Sequence, residues 1–211
     1  MARKKKEYAL ITRQRILDEA LRMFSNQGVT STSLSDIAKA AGVTRGAIYW
    51  HFANKECIIE EIFFQFEMAK SVHIAPFYSM LRKDPLLSLR NALIKTLYVI
   101  RHDERQAQIM SLIYCKREML EGCTSAGYIR KNIYFNGGDV ASAFKKCVNH
   151  GALPAGFDVE KNAIMIMAFM AGIIESWLLD PMSFDLYQDG EKAILGYLST
   201  IVSSRSVATE A

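Results

Sequence analysis

Seven consecutive residues, Arg45 to His51, set a guanidinium, two minimal side chains and three adjacent rings around a single isoleucine. No pairing of nucleophile with base and no metal-ligand set emerges from them. They suit instead an anionic surface that bears hydrogen-bond acceptors. The Arg45 fork matches the O6 and N7 acceptors of guanine, and the Ala47 methyl can meet the methyl of thymine. Tyr49, His51 and nearby Lys55 offer hydroxyl, imidazole and ammonium groups that hold phosphates and fix register without reading sequence. Thr32, Ser33, Thr44, Gly46 and Trp50 complete the candidate contact set. A tryptophan so close to Phe52 suits a core as well as a surface.

Such a set works only when a helix presents it. With Ile48 inward and about 100° of rotation per residue, Gly46, Ala47, Tyr49 and Trp50 fall on the outer arc, while Thr44, His51 and Phe52 fall inward or at its edges. Gly46 costs about 1 kcal/mol relative to alanine inside a helix. A backbone that must approach another surface closely, such as the floor of a DNA major groove, offsets that cost. Just ahead, Ser33 and Asp36 make a short capping box for a helix with Leu34, Ile37, Ala38 and Ala41 on one face, and Gly42 ends it. A capped helix, a glycine turn and a short second helix are the helix-turn-helix arrangement, with a reader segment at about residues 33–52.

The remaining pattern predicts helices throughout. Thr12 caps a first helix through Ile16, Leu17, Ala20, Leu21 and Phe24 that stops at Gly28. Asn54 caps a fourth, short one through Ile58, Ile59, Ile62, Phe63 and Phe66. Beyond Pro76 the helices lengthen. Asp84 and Pro85 open one, Asp103 opens another, and a region from about Ser125 to Asn149 is interrupted by Gly137 and Gly138 and closes at Gly151 and Pro154. Asp158 opens an apolar helix that runs through Trp177 to Pro181, and a final helix carries Ile194, Tyr197, Leu198, Ile201 and Val202. No alternating strand pattern of useful length appears. The chain reads as all-α, with an N-terminal three-helix helix-turn-helix domain over residues 1–60 and a larger helical domain over 61–211.

Charge supports the division. The net charge is +4; residues 1–60 hold ten Lys and Arg against six Asp and Glu, and the remainder holds sixteen of each sign. A basic head on a neutral body is expected to meet nucleic acid or a membrane surface. The run Arg3 to Lys6 reads either as a solvated tail or as an arm that tracks phosphates. Cys57, Cys115, Cys123 and Cys147 show no CxxC spacing and no signal-peptide pattern precedes them, which points to a reduced, cytoplasmic setting. The apolar run from Ala163 to Ile174 is shorter than the roughly 20 residues a bilayer core requires. Bracketed by Lys161 and Glu175, it reads as a buried helix.

The stretch ILDEALRMFSNQGVTSTSLSDIAKAAGVTRGAIYWHFANKECII resembles the DNA-binding domain of the TetR/AcrR family over most of residues 10–65. MARKKKEYALITRQRIL and GVTRGAIYWHF are similar to AcrR-type local repressors of multidrug efflux pumps, and weaker similarity continues in IYCKREM, in GALP and in GIIESWLLDPMSFDL. The resemblance implies a homodimeric transcriptional repressor on a pseudo-palindromic operator. It implies a ligand-binding and dimerisation domain whose helices enclose a pocket for a small lipophilic, often cationic effector and whose last two helices form the dimer interface. Expected interface residues are Ile173, Trp177, Ile194, Tyr197, Leu198 and Ile201.

For the pocket, Phe63, Phe66 and Glu67 offer rings beside a carboxylate suited to a cation, although a surface glutamate has the same appearance. Met167 and Met170 suit adaptable packing around a ligand as well as plain core filling. Tyr114, Lys116 and Glu118 lie where similar repressors carry pocket residues. No cofactor or metal is expected, since His73, His102 and His150 are scattered without ligand spacing. There is no glycine-rich phosphate loop, GxSxG or HExxH, so no enzyme is expected. One alternative stays open: a ligand-independent DNA-binding or chromosome-tethering protein.

Overall fold

The structure, a computed structural model, describes residues 2–115 and 137–207, which form nine helices and no strand. Helix α1 spans Ala2–Gln27, α2 Leu34–Ala40, α3 Arg45–His51, α4 Lys55–Met80, α5 Pro85–His102 and α6 Glu104–Cys115. After the undescribed stretch come α7 at Gly137–Asn149, α8 at Val159–Leu179 and α9 at Gln188–Val207. The expected helical region before Gly137, and Lys116 and Glu118, lie outside the described residues.

Two helices depart from their sequence-based bounds. Helix α1 starts at Ala2 rather than Thr12, because the lysines ahead of Thr12 are good helix formers and nothing stops propagation. The basic run is therefore helical. Packing begins later: Tyr8, Leu10 and Ile11 are exposed, whereas Ile16, Leu17, Ala20, Leu21 and Phe24 are buried. Helix α4 passes straight through Pro76 to Met80. Proline removes the donor for the Val72 carbonyl, but Val72 is well exposed, so water can take its place. The stops at Gly28, Gly42 and Gly151 are as expected, each with a positive φ in the region that favours glycine.

The chain forms two compact units, which divide after Met68 within α4. The first takes α1, α2, α3, the start of α4 and α6 from Arg105. Its core joins the buried face of α1 to Ile37, Ile48, Ile58, Ile62, Phe63 and Phe66. Arg105 pairs with Asp18 and donates to Gln65 Oε1 at 2.8 Å, which ties α6 to α1 and α4.

The second unit packs α7 on α8, and α5 on both α7 and α9. Asp84 caps α5 by accepting from the Leu87 N–H at 2.9 Å, and the Asp158 carboxylate caps α8 from Lys161 N at 3.0 Å. Gly190 sets how closely α9 approaches: a Cβ there would collide with Leu97 of α5 and lie 3.4 Å from Ile173 Cδ1 of α8. Leu97 is fully buried and has little room to yield. Gly190→Ala is accordingly expected to destabilise the protein by about 1–3 kcal/mol through overpacking, despite the better helix propensity of alanine. Thermal unfolding of the purified variant checks this, and an unchanged or raised Tm would refute it.

Helix α8 is buried on one face only. Ala163, Ile166, Met170, Ile174 and Trp177 face inward at helical spacing, while Ile164, Met165, Ala168, Gly172, Ser176 and Leu179 lie on the outer side, with Ile164 and Leu179 more exposed than Met165. At 21 residues it is also long and apolar enough to cross a membrane by length and composition, unlike the shorter run read from sequence. The expected interface residues occupy the other side. Trp177, Ile194, Leu198 and Ile201 are covered within the subunit, Ile173 faces the Gly190 contact, and the Tyr197 hydroxyl donates to Asn162 Oδ1 at 2.9 Å. Burial inside one subunit leaves Trp177, Ile194, Leu198 and Ile201 little area to offer a partner, whereas Ile173 and Tyr197 are half-buried.

Candidate DNA-reading surface

Local hydrogen bonds build the reader in the order the sequence suggests. The Ser33 hydroxyl accepts from Asp36 N at 3.1 Å and the Asp36 carboxylate accepts from Ser33 N at 3.0 Å, so both halves of the capping box form. The Ser33 hydroxyl and N–H hold the Asp36 carboxyl below the usual carboxylate range. Helix α2 closes as Val43 N donates to Ala38 O at 2.9 Å, with Gly42 in the left-handed conformation between them. The Thr44 hydroxyl then accepts from Ala47 N at 3.1 Å and starts α3. The turn can be this tight because a glycine supplies its positive φ.

Helix α3 is anchored through Ile48 and the capping Phe52, both buried. Arg13 of α1 secures its end. The Arg13 guanidinium lies 4.6 Å from the centroid of the Phe52 ring and forms a two-pronged pair with Glu61 of α4, at 2.9 and 3.0 Å. That pairing lowers the Glu61 pKa. Three helices are thus fastened at one guanidinium, and nothing local in the sequence links positions 13, 52 and 61.

The opposite side of α3 is bare. Trp50 is 74% exposed and Tyr49 48% exposed, so the surface reading of Trp50 holds over the core reading. The Trp50 and His51 rings meet edge to face at 4.6 Å, and the Arg45 guanidinium lies 5.9 Å from the centre of the Tyr49 ring. Gly46 has no intramolecular reason to be glycine: an added Cβ would meet only Thr44 Oγ1, at 4.0 Å, and its φ is not positive.

The candidate residues divide into two groups. Thr32, Ser33, Arg45, Tyr49 and Lys55 line one open cleft of about 560 Å³, where the segment before α2 meets α3 and the start of α4. Ser31, Ser35 and Asn54 also line it and were not expected; their only signal is hydroxyl and amide chemistry next to the caps. Thr44, Gly46, Ala47, Trp50 and His51 lie along the adjoining outer face and edge of α3. Two members also serve the fold. Thr32 is buried and its hydroxyl donates to Gly28 O at 2.7 Å, while Lys55 Nζ donates to Val29 O at 2.8 Å. The Lys55 ammonium has two further N–H donors for a phosphate.

His51 is half-buried, and burial followed by the Arg13 charge pushes its pKa below the ordinary histidine value. The unfolded chain therefore takes up the proton first as pH falls through about 6.5, and folding stability drops over that window as the pH is lowered. Arg13→Gln is expected to move the His51 titration upward, as followed by imidazole NMR. A titration that stays in place would show that the Arg13 charge does not act on this ring.

A three-helix head with a capped helix, a glycine turn and an exposed, ring-bearing reader on an all-helical chain defines a helix-turn-helix DNA-binding protein. Residues 16–62 match the bacterial regulatory proteins of the tetR family, and residues 84–202 match the C-terminal region of MAATS-type transcriptional repressors. The chain belongs to the TetR family of transcriptional regulators. It is 40% identical over 190 residues to the HTH-type transcriptional regulator AcrR of Shigella flexneri, a match that spans 90% of this chain and 88% of that one. Among solved structures it is similar to NalD, the secondary repressor of the MexAB-OprM multidrug efflux pump in Pseudomonas aeruginosa, with a TM-score of 0.72 and 28% identity over 92% of this chain and 96% of NalD. The SmeT–triclosan complex matches with a TM-score of 0.71 and 27% identity over 90% and 91% of the two chains. SmeT is the repressor of the Stenotrophomonas maltophilia multidrug efflux pump SmeDEF.

Proposed function

We propose that this protein is a homodimeric, cytoplasmic repressor of multidrug efflux genes that leaves its operator when a small lipophilic compound binds. The observation that carries the DNA half of this reading is the outer face of α3, where exposed rings and Arg45 surround a glycine that the fold itself does not need. Residues up to about 60 touch DNA. Two-fold symmetry then calls for a pseudo-palindromic operator whose half-sites lie roughly 34–36 Å apart, or a multiple of that. The exposed face of α8 serves a partner subunit in this reading, not lipid. No step requires a cofactor or a catalytic group, and the protein acts by binding alone.

The effector half rests on the kinship with SmeT, which is known with triclosan bound. Phe63, Phe66, Glu67 and Tyr114 belong to the first compact unit, Met167 and Met170 to the second, and Glu118 lies outside the described residues. Phe63, Phe66 and Met170 are buried, while Glu67, Tyr114 and Met167 are half-buried. We assign Glu67 the role of counter-charge for a cationic effector. Helix α4 runs without a break from Lys55 in the reading cleft to Phe66 and Glu67, so a ligand that displaces those residues displaces the reader unit with them. Release needs a coupling of only about 1–3 kcal/mol, provided the effector prefers the DNA-free geometry.

The test is operator binding titrated with an ethidium-like dye in the unmodified protein and in Glu67→Gln. Release by the dye, weakened about tenfold or more in the variant while its operator affinity is kept, is the expected outcome. If a saturating dye leaves operator affinity unchanged, this effector class is wrong. If no lipophilic compound releases the operator, the ligand-independent tether becomes the better reading.

A further inference from the structure

The seam between α5 and α9 carries two adjoining depressions that share Arg90. One, of about 390 Å³, is lined chiefly by Leu86, Leu87, Leu195, Leu198 and Val202. The other, of about 380 Å³, is lined by Asn91, Ile94, Lys95, Tyr98, Tyr187 and Glu191. Asp84 to Tyr98 covers fourteen helical steps, so the trough extends for roughly 20 Å along α5. One half is hydrocarbon-like. The other is aromatic and cationic.

The charges are unevenly satisfied. The Arg90 guanidinium donates only to the Asn91 side-chain oxygen, at 3.2 and 3.3 Å, and meets no carboxylate among the described residues. Lys95 Nζ lies 4.5 Å from the centre of the Tyr98 ring, also without a carboxylate among the described residues. Asp84 lines the leucine half at its far end, where it keeps its negative charge while capping α5. Within the aromatic half Glu191 is the one carboxylate facing Arg90 and Lys95, so that half keeps a positive excess. Tyr98 is itself held in place by His102, stacked at 4.3 Å, and by Tyr187, edge-on at 5.3 Å. The ring wall is therefore ordered before any ligand arrives. Leu195 remains 40% exposed over the apolar half. The α9 residues that face the trough, Leu195, Ser199 and Val202, sit on a different side of the helix from its outward, exposed residues Ala193, Gly196 and Thr200.

We propose that this trough binds an amphipathic anion, with a hydrocarbon chain along the leucines and its carboxylate held between Arg90 and Lys95. Charge selects the sign: a cationic amphiphile of the same length finds Arg90 and Lys95 in its path. Chain length selects affinity, because each further buried CH₂ tightens binding about fourfold until the trough is filled. This site lies wholly within the second compact unit and does not rest on the operator reading.

The experiment uses the full chain and hexadecanoate below its micelle concentration, with octanoate and hexadecyltrimethylammonium as controls, followed by calorimetry. Saturable binding of hexadecanoate that is much tighter than octanoate, and that falls at least about tenfold in Arg90→Gln/Lys95→Gln, supports the site. Leu195→Gln tests the apolar half from the other helix and is expected to weaken hexadecanoate several-fold with Tm unchanged. Hexadecyltrimethylammonium affinity is expected to stay the same or rise in the double variant. Hexadecanoate that binds equally well to all three proteins lies elsewhere and overturns the proposal, as does an absence of binding to the unmodified protein.

Discussion

Gly46→Leu is expected to abolish operator recognition while leaving the protein as stable as before, or more so. A side chain at this position has open space around it within the chain, and leucine gains about 1 kcal/mol of helix propensity over glycine. In the docking proposed above the same side chain would stand between α3 and the groove floor, in both half-sites of the operator. We expect at least about a hundredfold loss of affinity, equivalent to roughly 2.7 kcal/mol, by fluorescence anisotropy on the operator. Arg45→Ala provides the contrast, since it removes the proposed base contact without adding bulk. It is expected to cost about 1–3 kcal/mol per half-site and to relax preference at the base pair it reads. A Gly46→Leu protein that binds its operator normally would rule out α3 as the element that enters the groove.

The second large effect concerns association. Ile164, Gly172 and Leu179 leave a continuous apolar face of α8 uncovered, and Gly172 carries no neighbour that a Cβ would touch. Such a face needs a partner in water, and an isologous contact of α8 and α9 with their symmetry mates closes a four-helix interface. Ile164→Glu/Gly172→Glu is therefore expected to give a folded monomer at micromolar concentration by analytical ultracentrifugation, with operator affinity lost because one reader cannot span two half-sites. Ile194→Glu and Leu198→Glu behave differently. Both residues are buried inside the subunit, so a carboxylate there is expected to unfold the second compact unit before association is ever tested. A double variant of Ile164 and Gly172 that remains dimeric would place the interface on another surface.

Much of the reading head was legible in the sequence because its signals are local. Capping boxes, N-caps and glycine stops act over three or four residues, and Ser33 with Asp36, Thr44 with Ala47 and Gly42 with its turn all formed as spacing alone dictates. The inward Ile48 and outward Tyr49 and Trp50 follow equally from helical rotation, once a single buried position is known. The all-α class and the tetR kinship follow from the same short-range patterns. Helix ends without a stop signal were harder, as α1 shows: propensity extends a helix where no residue forbids it.

Only the tertiary structure decided which apolar face meets which neighbour. Periodicity marks both sides of α8 as hydrophobic, and it cannot say that Trp177 turns inward while Ile164 and Leu179 turn out, since that depends on where α7 packs. The same holds for Lys55, whose ammonium the fold directs to the Val29 carbonyl before any phosphate arrives, and for Arg13, which fastens Phe52 and Glu61 across 48 positions of chain. Local rules reach one helical turn. Contacts such as these are set by how the helices stack, and the packing of Leu97 against Gly190 that draws α9 onto α5 has no counterpart in any short stretch of sequence.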